Sequence, residues 1–276
     1  MLEGERGEAE GFSAMISGAN RRGGMVELLP SHRLVGTSGP VVVILNGAGA
    51  NMGYWRAMEP ALADIGRVLL YDRGLPSGYK AAPPPLGKHH VEQLRRLLAA
   101  LALPPPYLLV AHSLGGLYAD LFARLHPEEI AGLVLVDATH PEQEQRFAPQ
   151  MNAFGRLFRA LLGGWDRLFG PGPFTEVTRM GDIAAELAAA PAFPDIPLTV
   201  ITAGRTPPAW MISPALWAIH LDNQRELARL SPQGRQVMAE RSGHDVPRAQ
   251  PEIILAAIED MLARGDGRVG DIPHSG

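Results

Sequence analysis

Ser113 stands in Ala111-His112-Ser113-Leu114-Gly115-Gly116, directly behind the apolar run Tyr107-Leu108-Leu109-Val110. A serine hydroxyl attacks weakly at neutral pH unless a base removes its proton as the new bond forms, so the serine alone means little. Its neighbours single this one out. A nucleophile elbow turns a strand sharply into a helix with the serine in a strained backbone conformation, and small residues two positions before and after avoid a collision. Gly115 meets that requirement outright and Ala111 meets it with one extra methyl. The chemistry this arrangement serves is covalent attack on an electrophilic carbonyl, with a histidine as the proton acceptor. His112 adjoins the serine, but at a sharp turn its side chain points the other way, so it reads as structural.

The elements that must position Ser113 are legible around it. Leu117 to Leu125 is rich in helix formers and stops at His126-Pro127. Val41–Leu45, Arg67–Tyr71, Tyr107–Val110 and Gly132–Val136 are short runs without polar alternation, the pattern of buried parallel strands. Leu198–Thr202 is a fifth and Gln236–Glu240 a weaker sixth. Helical patterns such as Val91–Leu101 lie between them, and this repeated order implies an α/β fold, a doubly wound, mostly parallel sheet with helices on both faces. Ligand sites in such sheets lie beyond the carboxyl ends of the strands, where Ser113 falls.

Composition narrows the classes further. The 276 residues suit one α/β domain with an insertion. A net charge of −4 without long like-charge blocks points away from nucleic acid and anionic membranes and toward a small-molecule substrate. The absence of cysteine excludes disulfides and thiolate chemistry, and the histidines show no metal-ligand spacing, so no cofactor and no metal are expected. No run approaches the roughly 18 apolar residues of a membrane span, and the acidic start Met1–Glu10 is unlike a secretory signal. The expectation is a cytoplasmic monomer or homodimer. Residues 1–24 read as a mobile N-terminal arm, 25–140 and 195–265 as the core, 141–194 as a helical cap, and 266–276 as a C-terminal tail.

With these features in place the chain resembles the α/β-hydrolase superfamily, of the kind with a helical cap inserted after strand 6. The resemblance covers roughly residues 25–262 and rests on Asn46-Gly47-Ala48-Gly49, Tyr71-Asp72-Arg73-Gly74-Leu75-Pro76-Ser77-Gly78, the Ser113 elbow, Leu135-Val136-Asp137 and Ser242-Gly243-His244. It implies His244 as the base, near the C-terminus and after the serine in chain order. The family most often carries its acid after the strand Leu198–Thr202, yet Ala203 to Leu221 contains no Asp or Glu. Some subfamilies place it after the preceding strand, which makes Asp137 the candidate, with Asp222 the alternative acid and Glu142 third. The backbone amides of Ala48 and Leu114 are the expected oxyanion donors. Asn46 replaces the family's usual histidine, and Asn46, Gly47, His140, Met151, Phe154, Phe158 and Trp165 are candidates for substrate contact. Asp72 and Arg73 are expected to form a buried or partly buried ion pair that braces the oxyanion turn.

The function so implied is a serine hydrolase that cleaves a carboxylic ester or lactone of a small, hydrophobic substrate through an acyl-enzyme. The same residues also allow amide or C–C bond hydrolysis, cofactor-free oxygenase or perhydrolase chemistry, or a ligand-binding receptor with little turnover.

Overall fold

A computed structural model of the chain describes residues 29–73, 86–150 and 175–266. Among these residues seven strands form one sheet: β1 (His32–Val35), β2 (Val41–Leu45), β3 (Arg67–Tyr71), β4 (Tyr107–His112), β5 (Ile130–Val136), β6 (Leu198–Ala203) and β7 (Gly234–Ala239), in the spatial order β1-β3-β2-β4-β5-β6-β7. Every pairing is parallel except β1 with β3. The expected doubly wound, mostly parallel sheet is therefore present. The strand the sequence did not announce is β1, whose half-exposed side chains lack the apolar run that marks the others. β7 begins two residues before the expected run, and β4 continues to His112.

Side-chain alternation explains why the central strands read as unbroken apolar runs. In β2, Val41, Val43 and Leu45 enter the core layer shared with helices Leu86–Ala100 and Gly115–Leu125, while Val42 and Ile44 enter the layer beneath helix Pro251–Asp266. Both faces are covered, so both sets of alternate residues must be apolar. Each fully buried large aliphatic side chain contributes about 1.5–3 kcal/mol relative to exposure.

The strand order also creates the site. From β2 the chain passes to β3 on one side and then crosses to β4 on the other, so the carboxyl ends of β2 and β4 diverge into connections on opposite sides. A crevice opens at such a switch point. The loop after β2 (46–51) and the elbow after β4 both border it.

Among the described residues, the interval 141–194 lies between β5 and β6 in chain order. It contains the helices Gln143–Phe147, Thr175–Thr178 and Met180–Ala188. Glu186 from the last of these accepts the amides of Gly87 and Lys88 at 2.9 and 2.8 Å, capping helix Leu86–Ala100 with a negative charge at its N-terminus. The expected arm 1–24, the tail from 267 and the middle of the expected cap lie outside the described residues. No described helix is long and apolar enough to cross a membrane.

Candidate active site

Ser113 follows β4 with φ +53°, a left-handed conformation that costs a residue bearing a Cβ and persists only where the surroundings over-determine it. Three backbone hydrogen bonds do so. Ser113 N–H donates to Val136 O at 3.1 Å, and Ser113 O accepts from Gly116 and Thr139 at 3.0 Å each. Helix Gly115–Leu125 then starts against β2 so closely that a Cβ on Gly115 would stand 2.4 Å from Leu45 O. Only glycine fits there, which is the steric rule the sequence displayed.

Ser113 Oγ lies 3.0 Å from His244 Nε2, and His244 Nδ1 lies 2.7 Å from Asp137 Oδ2. Asp137 is buried at the end of β5 with φ +42°, and its N–H donates to Ile201 O of β6 at 2.7 Å. Its carboxylate accepts from Ala203 N–H at 3.0 Å and from His220 Nε2–H at 3.0 Å, both on Oδ1. Burial alone would raise the pKa of Asp137, but the hydrogen bonds from His220 and His244 outweigh it and hold the carboxyl well below the usual range. For His244, burial lowers the pKa, but the hydrogen bond and charge of Asp137 outweigh that and leave it raised. An ionised Asp137 fixes the proton of neutral His244 on Nδ1, leaving Nε2 free to accept the Ser113 hydroxyl.

His112 points away from the serine and donates Nε2–H to His244 O at 2.9 Å. Its ring lies between Tyr54, with centroids 5.4 Å apart, and His244, 4.8 Å apart. Burial and then the neighbouring His244 lower its pKa to about 4, so it stays neutral and anchors the loop that carries His244.

The loop after β2 is built from behind. Arg73 donates to Asn46 O at 2.5 Å and to Gly47 O at 3.2 Å. In a planar trans peptide the N–H opposes the carbonyl, so holding Gly47 O turns Ala48 N–H away from Arg73. A Cβ on Gly47 would come 3.1 Å from the Ser113 Cβ, which puts this loop against the serine. Leu114 occupies the N-cap position of helix Gly115–Leu125, where free amides and the helix dipole favour negative charge.

Several expected contacts are different. Arg73 pairs with Glu176, at 2.9 Å from Nε and 3.2 Å from Nη2, and not with Asp72. Asp72 instead accepts Met52 N–H at 2.7 Å. Glu176 also accepts the Tyr118 hydroxyl at 3.0 Å, which completes a buried network between interval 141–194 and the loop after β2. Burial would raise the Glu176 pKa, but the Arg73 charge keeps it lowered. Asn46 does not face a substrate: its side chain donates to Tyr71 O at 3.1 Å and accepts Trp55 Nε1–H at 2.6 Å, using its polar atoms inside the core. His140 accepts Glu142 N–H at 3.1 Å and lies 3.5 Å from Glu226, so it too is engaged locally.

Asp222, the alternative acid, pairs with exposed Arg225 and borders an open groove of about 510 Å³ with Arg146, Ile219, Glu226 and Arg229. That groove contains none of Ser113, His244 and Asp137, so the geometry gives Asp222 no part in their arrangement. Met151, Phe154, Phe158 and Trp165 lie outside the described residues. Reading the sequence missed the contact of His220 with Asp137, since no motif marks a histidine in mid-helix.

The comparisons with known proteins agree with this architecture. The family model described as alpha/beta hydrolase fold matches residues 40–168. A thermophilic esterase from Thermogutta terrifontis superposes with a TM-score of 0.60 at 22% identity, covering 85% of this chain and 93% of that one. The enol-lactonase from Burkholderia xenovorans LB400 superposes with a TM-score of 0.54 at 20% identity, covering 84% and 96%. An uncharacterized Bacillus subtilis protein, YqjL, is 24% identical over 82% of this chain and 85% of its own length. Against relatives from Schizosaccharomyces pombe and Cronobacter turicensis the chain spans only 41% and 37% of their length. The fold and its switch-point crevice define an α/β-hydrolase-fold protein. Over residues 40–168 the chain is similar to the α/β hydrolases, and its sheet has their fold.

Proposed function

We propose that this protein is a serine hydrolase that cleaves a carboxylic ester or lactone of a small, hydrophobic substrate through an acyl-enzyme. The observation that carries the reading is the unbroken hydrogen-bonded line from Ser113 Oγ through His244 to buried Asp137. In this reaction Ser113 Oγ attacks the carbonyl carbon as His244 Nε2 takes its proton. Asp137 orients the imidazole and stabilises the imidazolium without itself taking the proton. The new oxyanion is held by the amides of Ala48 and Leu114, and loss of one such donor typically costs about 2.7–4 kcal/mol of transition-state stabilisation. The Nε2 proton then passes to the leaving alkoxide. A water deprotonated by His244 attacks the acyl-enzyme and frees Ser113.

The superfamily hosts many reactions, so bond type rests on chemistry and on resemblance. The fold similarity to an esterase and to an enol-lactonase supports an acyl-oxygen bond. An apolar substrate is supported by the apolar side chains that the sequence concentrates in the interval 141–194. No metal or cofactor has a part in these steps.

The test is a series of p-nitrophenyl esters from acetate to decanoate, with lactones and amides in parallel, assayed with wild type and Ser113→Ala. Ester or lactone turnover that vanishes in S113A supports the reading. Wild type no faster than S113A on every substrate overturns it in favour of a ligand-binding protein with a hydrolase fold.

A further inference from the structure

Asp137 is shared by two imidazoles. His244 takes one carboxylate oxygen, and His220 lies 3.0 Å from the other. His220 projects from helix Pro214–Ala228, its side chain is 13% exposed, and its ring stacks on Trp217 with centroids 5.0 Å apart and planes 21° apart. An ionised carboxylate only accepts hydrogen bonds, so His220 must carry a proton on Nε2 to sit at that distance.

The same helix makes a second grip one turn later. Gln224 Nε2–H donates to Ala138 O at 2.6 Å. Residues four apart share a helix face, so His220 and Gln224 together hold consecutive residues at the end of β5. That is where the backbone takes the strained φ of +42° at Asp137. Such a conformation needs support from its surroundings, and this helix face supplies it beside the amide of Ala203. The segment after β6 that lacks a carboxylate leads directly into this helix. In place of an acid, this part of the chain provides a donor that turns the acid of β5 toward His244.

We propose that His220 is a positioning residue for the reaction, holding Oδ1 of Asp137 so that Oδ2 stays aligned with His244 Nδ1. The proposal deepens the serine-hydrolase reading and rests on it for its kinetic consequence. A hydrogen bond to a charged group aligns the acid only while the donor is present. His220→Phe keeps a flat ring against Trp217 but has no N–H, and His220→Gln restores a donor on a side chain of similar length.

The experiment measures kcat and KM on the best p-nitrophenyl ester for wild type, H220F and H220Q. Proton NMR of the deshielded His244 Nδ1–H and thermal melting are recorded for each. H220F should lose about tenfold in kcat, the scale of one charge-assisted hydrogen bond, with KM unchanged and H220Q returning to within about threefold of wild type. The deshielded resonance should shift or broaden in H220F and return in H220Q. If H220F does not fold, His220→Met carries the same expectations. Wild-type kcat and an unmoved resonance in H220F overturn the proposal, as does equal impairment of H220F and H220Q, which would mean that ring packing is what matters. The serine-hydrolase reading fails separately, when S113A matches wild type, and the NMR comparison then still reads the alignment of Asp137 and His244.

Discussion

Replacing Asp137 by Asn keeps the volume of the side chain and changes only which atoms can donate. Oδ1 of Asp137 accepts two hydrogen bonds, from Ala203 N–H and His220 Nε2–H, whereas Oδ2 accepts one, from His244 Nδ1–H. In D137N one oxygen becomes an NH2 group. Turned toward Ala203 and His220, that group would face two donors in a buried site. Turned toward His244, it faces one, and the imidazole can answer by moving its proton to Nε2. Leaving a buried donor unpaired costs about 1–3 kcal/mol each, so the second orientation wins. It leaves Nε2–H pointing at Ser113 Oγ, and the base can no longer accept the serine proton. The same tautomer fault in a serine protease lowers kcat about 10⁴-fold. At about 1.36 kcal/mol per factor of ten this is ~5.4 kcal/mol of barrier. Steady-state kinetics on the ester identified above, with a thermal melt to confirm folding, measures it. A folded D137N within tenfold of wild type refutes the reasoning, because some other group would then be orienting His244.

Three further outcomes follow from the geometry. Since Asp137 raises the pKa of His244 and only neutral His244 accepts a proton, kcat/KM should fall as pH drops through a midpoint above the ordinary histidine value of about 6.5. In D137N the carboxylate that raises it is gone, and the midpoint of any residual activity should move down; a midpoint that stays put counts against the assignment. Buried His112, with a pKa near 4 against an unfolded value near 6.5, contributes stability that is present above pH 6.5 and lost as pH falls toward 4. His112→Gln should therefore flatten the dependence of urea-unfolding free energy over that window. Arg73→Met leaves Glu176 buried without its cation and should cost about 3–5 kcal/mol in denaturant unfolding, while adding Glu176→Gln recovers part of the loss.

These expectations draw on residues that were legible to very different degrees. The Ser113 elbow could be read from a few adjacent positions because its demand is local: a strand, a sharp turn and a helix need small residues at fixed offsets. The central strands were legible for a similar reason, since burial on both faces leaves unbroken apolar runs. β1 escaped because an edge strand with half-exposed side chains carries no such run. The partner of Arg73 escaped for another reason. Asp72 is its chain neighbour, but adjacent residues in extended backbone point to opposite sides. The partner that does meet it, Glu176, lies 103 positions away.

The sequence by itself determined the fold class, the position of Ser113 at a strand end, and a shortlist of bases and acids, because periodicity and turn sterics act between near neighbours. Only the tertiary structure decided which shortlisted groups meet. Asp137 and His244 are 107 positions apart, and they touch because the sheet order sets the ends of β5, β6 and β7 side by side. His220, 83 positions from Asp137, joins them because a helix crossing that edge presents one face to it. Strand adjacency and helix rotation arise from packing the whole chain, so no local pattern records them.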